Sequence, residues 1–292
     1  IKLKINLLLM LKKNYKYLIN SQSSSFYSDF KNLIYNKFLI YSFFRKEVLA
    51  SYTQSFFGLA YFFLFPLFQA LVFDIFIKNI SGNTDSSPVN FVFYLLSITY
   101  WNFFSNSLLK GSNSFFINAR LVRRIHLNKL ALFLSSILTN YFNLFITTFT
   151  FLVVISYFLI SNQDIGINFS YRLLFIPILL IYTSLFTTAM ALIVASFTLK
   201  YRDGLYGLPF ILQMLMFVSP VLYSTVNLSK ISYIIMSLNP ETFIIETFRW
   251  CFYPENTFDP ILMCINIILF LCASLIAVFI YNKYTRLAAD II

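Results

Sequence analysis

Apolar residues run along the chain in stretches of about 20, separated by short polar segments, and that is the length a helix needs to cross a bilayer. Six stretches stand out: Phe56–Ile77, Phe91–Leu109, Leu130–Ile160, Leu173–Leu199, Leu205–Tyr223 and Ile261–Tyr281. The third and fourth exceed the hydrocarbon thickness, so they tilt or project. Before the first, the pattern is different. Phe30, Leu33, Ile34, Phe38, Tyr41, Val48, Leu49 and Tyr52 recur at helical spacing, with Lys31 and Lys46 on the other face. This predicts an amphipathic helix over residues 29–55 at the cytoplasmic membrane interface, a cytosolic helix packed on the protein being the other reading. Residues 1–28 hold the apolar run Ile5–Leu11, too short for a span and closed by Lys12-Lys13, with no small-residue cleavage site after it. They read as a poorly ordered N-terminal extension.

A seventh apolar stretch, "ISYIIMSLNPETFIIETFRWCFY" from Ile231 to Tyr253, is interrupted at its centre by Asn239, Pro240 and Glu241. Asn before Pro suits an N-cap and first turn and breaks a helix interior. The pattern predicts two half-helices, Ile231–Leu238 and Pro240–Tyr253, that dip into the outer leaflet and return. Glu241 favours the new helix N-terminus, and Glu246 and Arg249 neutralise each other at i and i+3. Broken backbone at membrane depth is tolerated where it is buried in protein or lines a cavity, so these five residues form a candidate outer gate. The expected fold is therefore an all-α integral membrane protein. It has six transmembrane helices within residues 56–292, an N-terminal interface helix, and a re-entrant hairpin before the last span.

Composition agrees: the 292 residues are 59% hydrophobic, 20% aromatic and 11% charged, more apolar surface than a soluble domain hides. The net charge of +11 is one of placement. The first fifty residues, the Lys110–Lys129 loop, Lys200 with Arg202, and Lys283 with Arg286 hold 18 of the 22 basic residues. The positive-inside rule sets both termini and that loop in the cytoplasm, and no nucleic-acid partner is needed to explain the charge. Membrane lipids are the expected surroundings.

The chemistry expected of an enzyme is missing from the pattern. His126 is the single histidine, and Cys251, Cys264 and Cys272 have no metal-ligand spacing, so they read as buried inert thiols with no metal site. No G-x-x-x-x-G-K-[ST] loop is present, and no ion relay is evident within the spans. The chain itself is expected to hold no cofactor. If it moves a substrate, the energy comes from a partner on the cytoplasmic side. Two loops offer a grip: "KGSNSFFINARLVRRIHLNK", with Phe115 and Phe116 ahead of Arg120, Arg123 and Arg124, and "KYRDGLYG", with Tyr201, Arg202 and Asp203. Docking into a partner groove and simple orientation-setting charge are both compatible with them. Asn102, Asn106, Asn140, Asn143, Gln69 and Gln213 lie inside spans, where they either bond other helices or line a polar conduit.

These features in this order resemble the membrane subunit of bacterial type-2 ABC exporters for O-antigen, capsule and teichoic-acid polymers. The resemblance is carried by "YTQSFFGLAYFFLFPL", "FYLLSITYWNFFSNSLLKGSNSFFINARLVRRI", "FTLKYRDGLYGLPFILQMLMFVSPVLY" and "SLNPETFIIETFR", covering about Asp29 to Ile280. Tyr201-Arg202-Asp203 matches the family's aromatic-Arg-Asp motif, and Ser219-Pro220 with Tyr223 its Ser/Thr-Pro-x-x-Tyr. Departures bear on the subfamily: Ser51 and Thr53 stand where a base usually precedes Gln54, Tyr61 stands for Trp, and His126-Leu127 for Phe-Pro.

The resemblance implies a homodimer in the bacterial cytoplasmic membrane with two copies of a P-loop ATP-binding subunit, ATP and Mg being held by that partner. It also implies a lipid-linked glycan substrate and a coupling helix around Arg120–Lys129. Aromatic faces suit a sliding sugar polymer, which makes Tyr100, Trp101, Phe103, Phe104 and Phe217 channel candidates, lipid-facing or packing roles being the alternative. Competing functions are the same architecture exporting a drug or small lipid, a membrane glycan transferase, and a non-catalytic scaffold. Scattered Glu241, Glu246, Glu255 and Asp259 give a transferase no clustered acids.

Overall fold

Apolar runs long enough to satisfy their own backbone become helices, and the polar punctuation marks where they stop. In the computed structural model, residues 25–53, 58, 60–81, 88–117, 128–163, 165–167, 170–223, 225, 236–237, 239–253 and 260–284 are described. Among these the chain is all-helical. In order come α1 (Phe26–Lys31), α2 (Lys37–Thr53), α3 (Ala60–Ser81), α4 (Pro88–Ile117) and α5 (Lys129–Ile160). A 3-10 turn at Tyr171–Phe175 leads into α6 (Ile176–Lys200), followed by α7 (Asp203–Val218), α8 (Pro240–Phe252) and α9 (Pro260–Tyr284).

Among the described residues, four segments are long and apolar enough to cross a membrane: Ala60–Asn79, Lys129–Ile160, Tyr171–Lys200 and Pro260–Tyr284. These carry the expected first, third, fourth and sixth spans. The other two differ in character. The expected second span lies within α4, whose 30 residues include Asn102, Ser105, Asn106, Ser107 and Lys110 and are largely enclosed by α3, α5, α6 and α7. A helix enclosed by protein can carry polar groups that a lipid-facing helix cannot. The expected fifth span is reduced to α7, a 16-residue apolar helix with Pro209 inside it.

The N-terminal region also departs from expectation. The helical chain begins before residue 29, because Ser25 and Ser28 form a capping box that starts α1. The single interface helix is instead two, since Asn32 ends α1 and a hydrogen-bonded turn through Asn36 precedes α2. Phe30, Ile34, Phe38, Tyr41 and Leu49 are exposed, while Leu33 and Val48 are half-buried. The remainder of the expected extension, residues 1–24, lies outside the described residues.

The core is built around α4. Gly111 lets α4 and α6 approach, because a Cβ there would meet the Ala191 methyl at 3.1 Å and the Phe133 ring at 3.3 Å. Thr198 Oγ1 donates to the Ser112 carbonyl at 3.1 Å across the same seam. Elsewhere Tyr141 bonds the Ser184 carbonyl and the Thr188 hydroxyl, joining α5 to α6, and Tyr182 Oη donates to the Asn266 carbonyl at 3.0 Å, joining α6 to α9. Asn102 Nδ2 donates to Gln69 Oε1 at 2.9 Å, so two of the polar residues within spans satisfy each other. Asp74 and Lys78 pair at 2.5 Å within α3. Of the three cysteines only Cys251 is buried; Cys264 and Cys272 lie on the outer face of α9, correcting the expectation of buried thiols.

The two ends of the bundle are chemically distinct. At the basic end, α1 is clasped between α5 and α9. Tyr281 Oη donates to Asp29 Oδ2 at 2.7 Å, Asn128 Nδ2 to the Asp29 carbonyl at 2.7 Å, and the Phe26 amide to Asn282 Oδ1 at 2.6 Å. Glu47 of α2 accepts from Ser136 at 2.9 Å and Thr139 at 3.1 Å, which lays α2 along α5. At the opposite end, Gly166 takes a left-handed φ of +64° beside Val89 and Tyr253, and the Tyr253 hydroxyl donates to the Val89 carbonyl at 3.4 Å.

Candidate functional site

Asn239 interrupts the apolar stretch as its chemistry dictates. Its backbone is extended (φ −84°, ψ 116°), its side-chain oxygen accepts from the Glu241 amide at 3.1 Å, and Pro240 opens α8. The 13 residues of α8 span about 20 Å at helical rise, short of a hydrocarbon core. Most of the preceding half-helix, at 231–235 and 238, lies outside the described residues. Asn239 Nδ2 also donates to Ser219 Oγ at 2.7 Å, tying the start of α8 to the end of α7.

Arg249 is the centre of this end of the molecule and has no exposed surface. Its Nη1 donates to Glu246 Oε1 at 2.9 Å, the i, i+3 pair expected from the sequence. The remaining donors were not foreseen. Nε and Nη2 reach Ser97 Oγ of α4 at 3.1 and 2.7 Å, while Nη1 and Nη2 donate to the Tyr223 and Val221 carbonyls at 3.1 and 3.2 Å. The guanidinium also lies 3.6 Å from the Phe93 ring centroid. A buried guanidinium is tolerable only when its charge and its donors are met, and here a carboxylate, a hydroxyl, two carbonyls and an aromatic face meet them. One side chain thereby fixes α8, α4 and the segment after α7 to one another. The Ser-Pro-x-x-Tyr segment supplies both carbonyls, and Tyr223 Oη folds back to the Val218 carbonyl at 2.9 Å.

Glu241, placed beside Asn239 in the expected gate, is fully buried, and neither carboxylate oxygen has a hydrogen-bond partner among the described residues. Thr242 is buried too, its hydroxyl donating to the Met236 carbonyl at 2.7 Å. In the single chain, α8 is thus a packed element and not an open rim.

The aromatic candidates divide. Tyr100, Trp101, Phe103 and Phe104 are at most 4% exposed, and Tyr100 stacks on Phe248 of α8 with centroids 3.6 Å apart. For Tyr100, Trp101 and Phe104 the packing reading accounts for that burial. Phe103 borders a cleft between α3, α4 and α5. Phe217 is 59% exposed on α7, in line with the exposed Phe210 and Met214.

At the basic end, the two candidate docking segments meet. The Arg202 guanidinium lies 5.5 Å from the ring centroid of Phe116, and Phe115 is buried against Phe133. Tyr201 and Asp203 are exposed beside them, and the Lys200 amine covers the rings of Tyr201 and Tyr284. Arg120, Arg123 and Arg124 lie outside the described residues.

With this geometry in view, the comparisons with known proteins are specific. The sequence profile of the ABC-2 type transporter family matches residues 39–253. That range runs from α2 through α8 and takes in both the arginine node and the Arg202–Phe116 contact. The chain is also similar to a protein of Myxococcus xanthus named O-antigen export system permease protein RfbA, with 24% identity over 224 residues covering 76% of this chain and 82% of the relative. A family profile that spans most of the described bundle identifies the fold's lineage: the chain belongs to the ABC-2 type transporter family, whose membrane subunits work with a separate ATP-binding subunit.

Proposed function

We propose that this chain is the permease subunit of an ATP-driven exporter that moves a lipid-linked polysaccharide, or a related polymer, out across the bacterial cytoplasmic membrane. The observation that carries this reading is the similarity along three quarters of the chain to a permease named for O-antigen export. The working unit in this reading is two copies of the chain and two copies of a P-loop ATP-binding subunit. ATP and Mg belong to the partner. The basic end, with Phe116 packed under Arg202 and the Arg120–Arg124 segment leading from it, is the cytoplasmic face on which the ATPase docks. The exposed aromatic face of α7, including Phe217, fits a surface along which sugar rings slide. The α8 end, held by Arg249 and begun by Asn239 and Pro240, is the outer gate.

Deletion of the gene is the test. The expected result is loss of surface glycan with lipid-linked polymer retained inside the cell, restored by the wild-type chain. Unchanged surface glycan, with a drug or small lipid accumulating instead, would replace this reading by the same architecture serving another cargo.

A further inference from the structure

A cleft of about 310 Å³ runs between α3, α4 and α5, and its lining is ordered along its length. Thr99, Asn102, Asn106 and Lys110 form one stripe of α4, spaced so that they share a face, and Asn140, Asn143 and Thr147 form the facing stripe of α5. Lys110 stands at the basic end. The polar rows extend from it toward the middle of the bundle, about 16 Å along α4 from Lys110 to Thr99. Tyr61 and Phe65 of α3 border the cleft and are about half exposed, on a helix with few of its residues covered by protein.

Two features of this cleft are costly unless something fills it. Asn140 is 2% exposed, and among the described residues neither its amide nitrogen nor its oxygen has a hydrogen-bond partner; Asn143 Oδ1 has none among them either. Buried amides left unpaired lose free energy, and packing alone would have favoured apolar residues there. Lys110 makes no hydrogen bond or ion pair among the described residues. Glu47, the carboxylate whose charge reaches it, is already engaged by Ser136 and Thr139.

We infer that this cleft is an intramembrane binding site, within one protomer, for the phosphorylated sugar headgroup of a lipid. The inference rests on the proposed export of a lipid-linked glycan and deepens it. The Lys110 ammonium pairs with the phosphate, a compact strongly hydrated cation suiting a point contact with an anion. Asn140, Asn143 and Asn106 offer neutral donors and acceptors to ring hydroxyls, which a phosphate alone would not need. The hydrocarbon tail leaves past Tyr61 and Phe65 into the bilayer. The volume is at the small end for a ligand site, so it takes the first sugar and not the polymer.

The test uses the full chain in lipid nanodiscs, with decaprenyl-phosphate-linked N-acetylglucosamine as the labelled probe. Decaprenyl phosphate, phosphatidic acid and free N-acetylglucosamine 1-phosphate serve as competitors. The labelled probe is expected to bind, and to be displaced more than about tenfold less well by each competitor. Lys110→Met should weaken it by about tenfold or more and Lys110→Arg by much less. Asn140→Leu with Asn143→Leu should weaken the glycosylated probe and leave decaprenyl phosphate unchanged. Equal binding by Lys110→Met at an unchanged melting temperature overturns the site. Equal competition by phosphatidic acid overturns the sugar contact, and equal competition by the free sugar phosphate overturns the lipid route. If Lys110→Met fails to fold, the asparagine pair decides: an equal loss for both lipid probes overturns the proposal. Failure here with surface glycan still dependent on the gene leaves the export reading standing. An intact surface glycan after deletion removes that reading whatever binds.

Discussion

Arg249 and Ser97, 152 residues apart in sequence, are joined by two donors of one guanidinium onto one hydroxyl, at 3.1 and 2.7 Å. Breaking a buried charged network by removing one partner leaves the others desolvated and unpaired, at a cost of about 3–5 kcal/mol. Arg249→Met should therefore lower the thermal stability of the purified protein sharply. Ser97→Ala should cost about 1–3 kcal/mol, and Arg249→Lys should fall between, keeping the charge and losing the fork. Equal melting temperatures for wild type and Arg249→Met would show that the node carries no stability.

The contact between Arg202 and Phe116 predicts a different signature. An exposed cation over an aromatic ring contributes about 0.5–1 kcal/mol, so Phe116→Ala should barely alter folding. If the basic end receives the ATPase, the same substitution should reduce glycan export, and Arg123→Glu with Arg124→Glu should abolish ATPase association while leaving membrane insertion intact. Co-purification with the ATP-binding subunit, alongside surface-glycan staining, reads both. Normal assembly and export in the charge-reversed variant would remove the coupling assignment.

Glu241 gives a prediction of opposite sign. A buried carboxylate with no hydrogen-bond partner destabilises its surroundings, so Glu241→Gln or Glu241→Leu should hold or raise the melting temperature, by about 1–3 kcal/mol of stability. A fall of that size in both variants would mean that the carboxylate has a partner in the assembled transporter, and a second copy of the chain is the first place to look.

Orientation is checked by labelling. Gln163, in the turn after α5, and Asp203, at the start of α7, are both exposed and lie at opposite ends of the bundle. In a background lacking Cys251, Cys264 and Cys272, a cysteine replacing Gln163 should react with a membrane-impermeant maleimide on intact cells. One replacing Asp203 should react only after permeabilisation. The reverse pattern would invert the topology read from the basic residues.

What the sequence revealed follows the range of the interactions involved. The Asn239-Pro240 break and the Glu246–Arg249 pair are local, set by capping and by one helical turn, and both are present. The Arg202–Phe116 contact joins two segments that were singled out separately for a shared role. The Ser97, Val221 and Tyr223 partners of Arg249 were invisible because nothing in spacing relates them. Tyr100, Trp101 and Phe104 were misleading in the same way. Among 37 Phe and 20 Tyr, an aromatic residue in a core and one on a pore wall carry the same local pattern. The second span was legible as a long helix but not as the enclosed centre of the bundle, since hydropathy does not separate a lipid solvent from a protein one. The asparagines within spans were legible as a set, and their division into a satisfied Asn102 and an unsatisfied Asn140 was not.

The Tyr281–Asp29 bond has a consequence for biosynthesis. Its partners are 252 residues apart, so the ribosome releases the donor only after α1 to α8 have been made. Until then Asp29 keeps its carboxylate in water and α1 has no berth between α5 and α9. Closing the clasp therefore waits for the synthesis of α9, and a copy truncated before Tyr281 would leave α1 undocked and open to proteolysis.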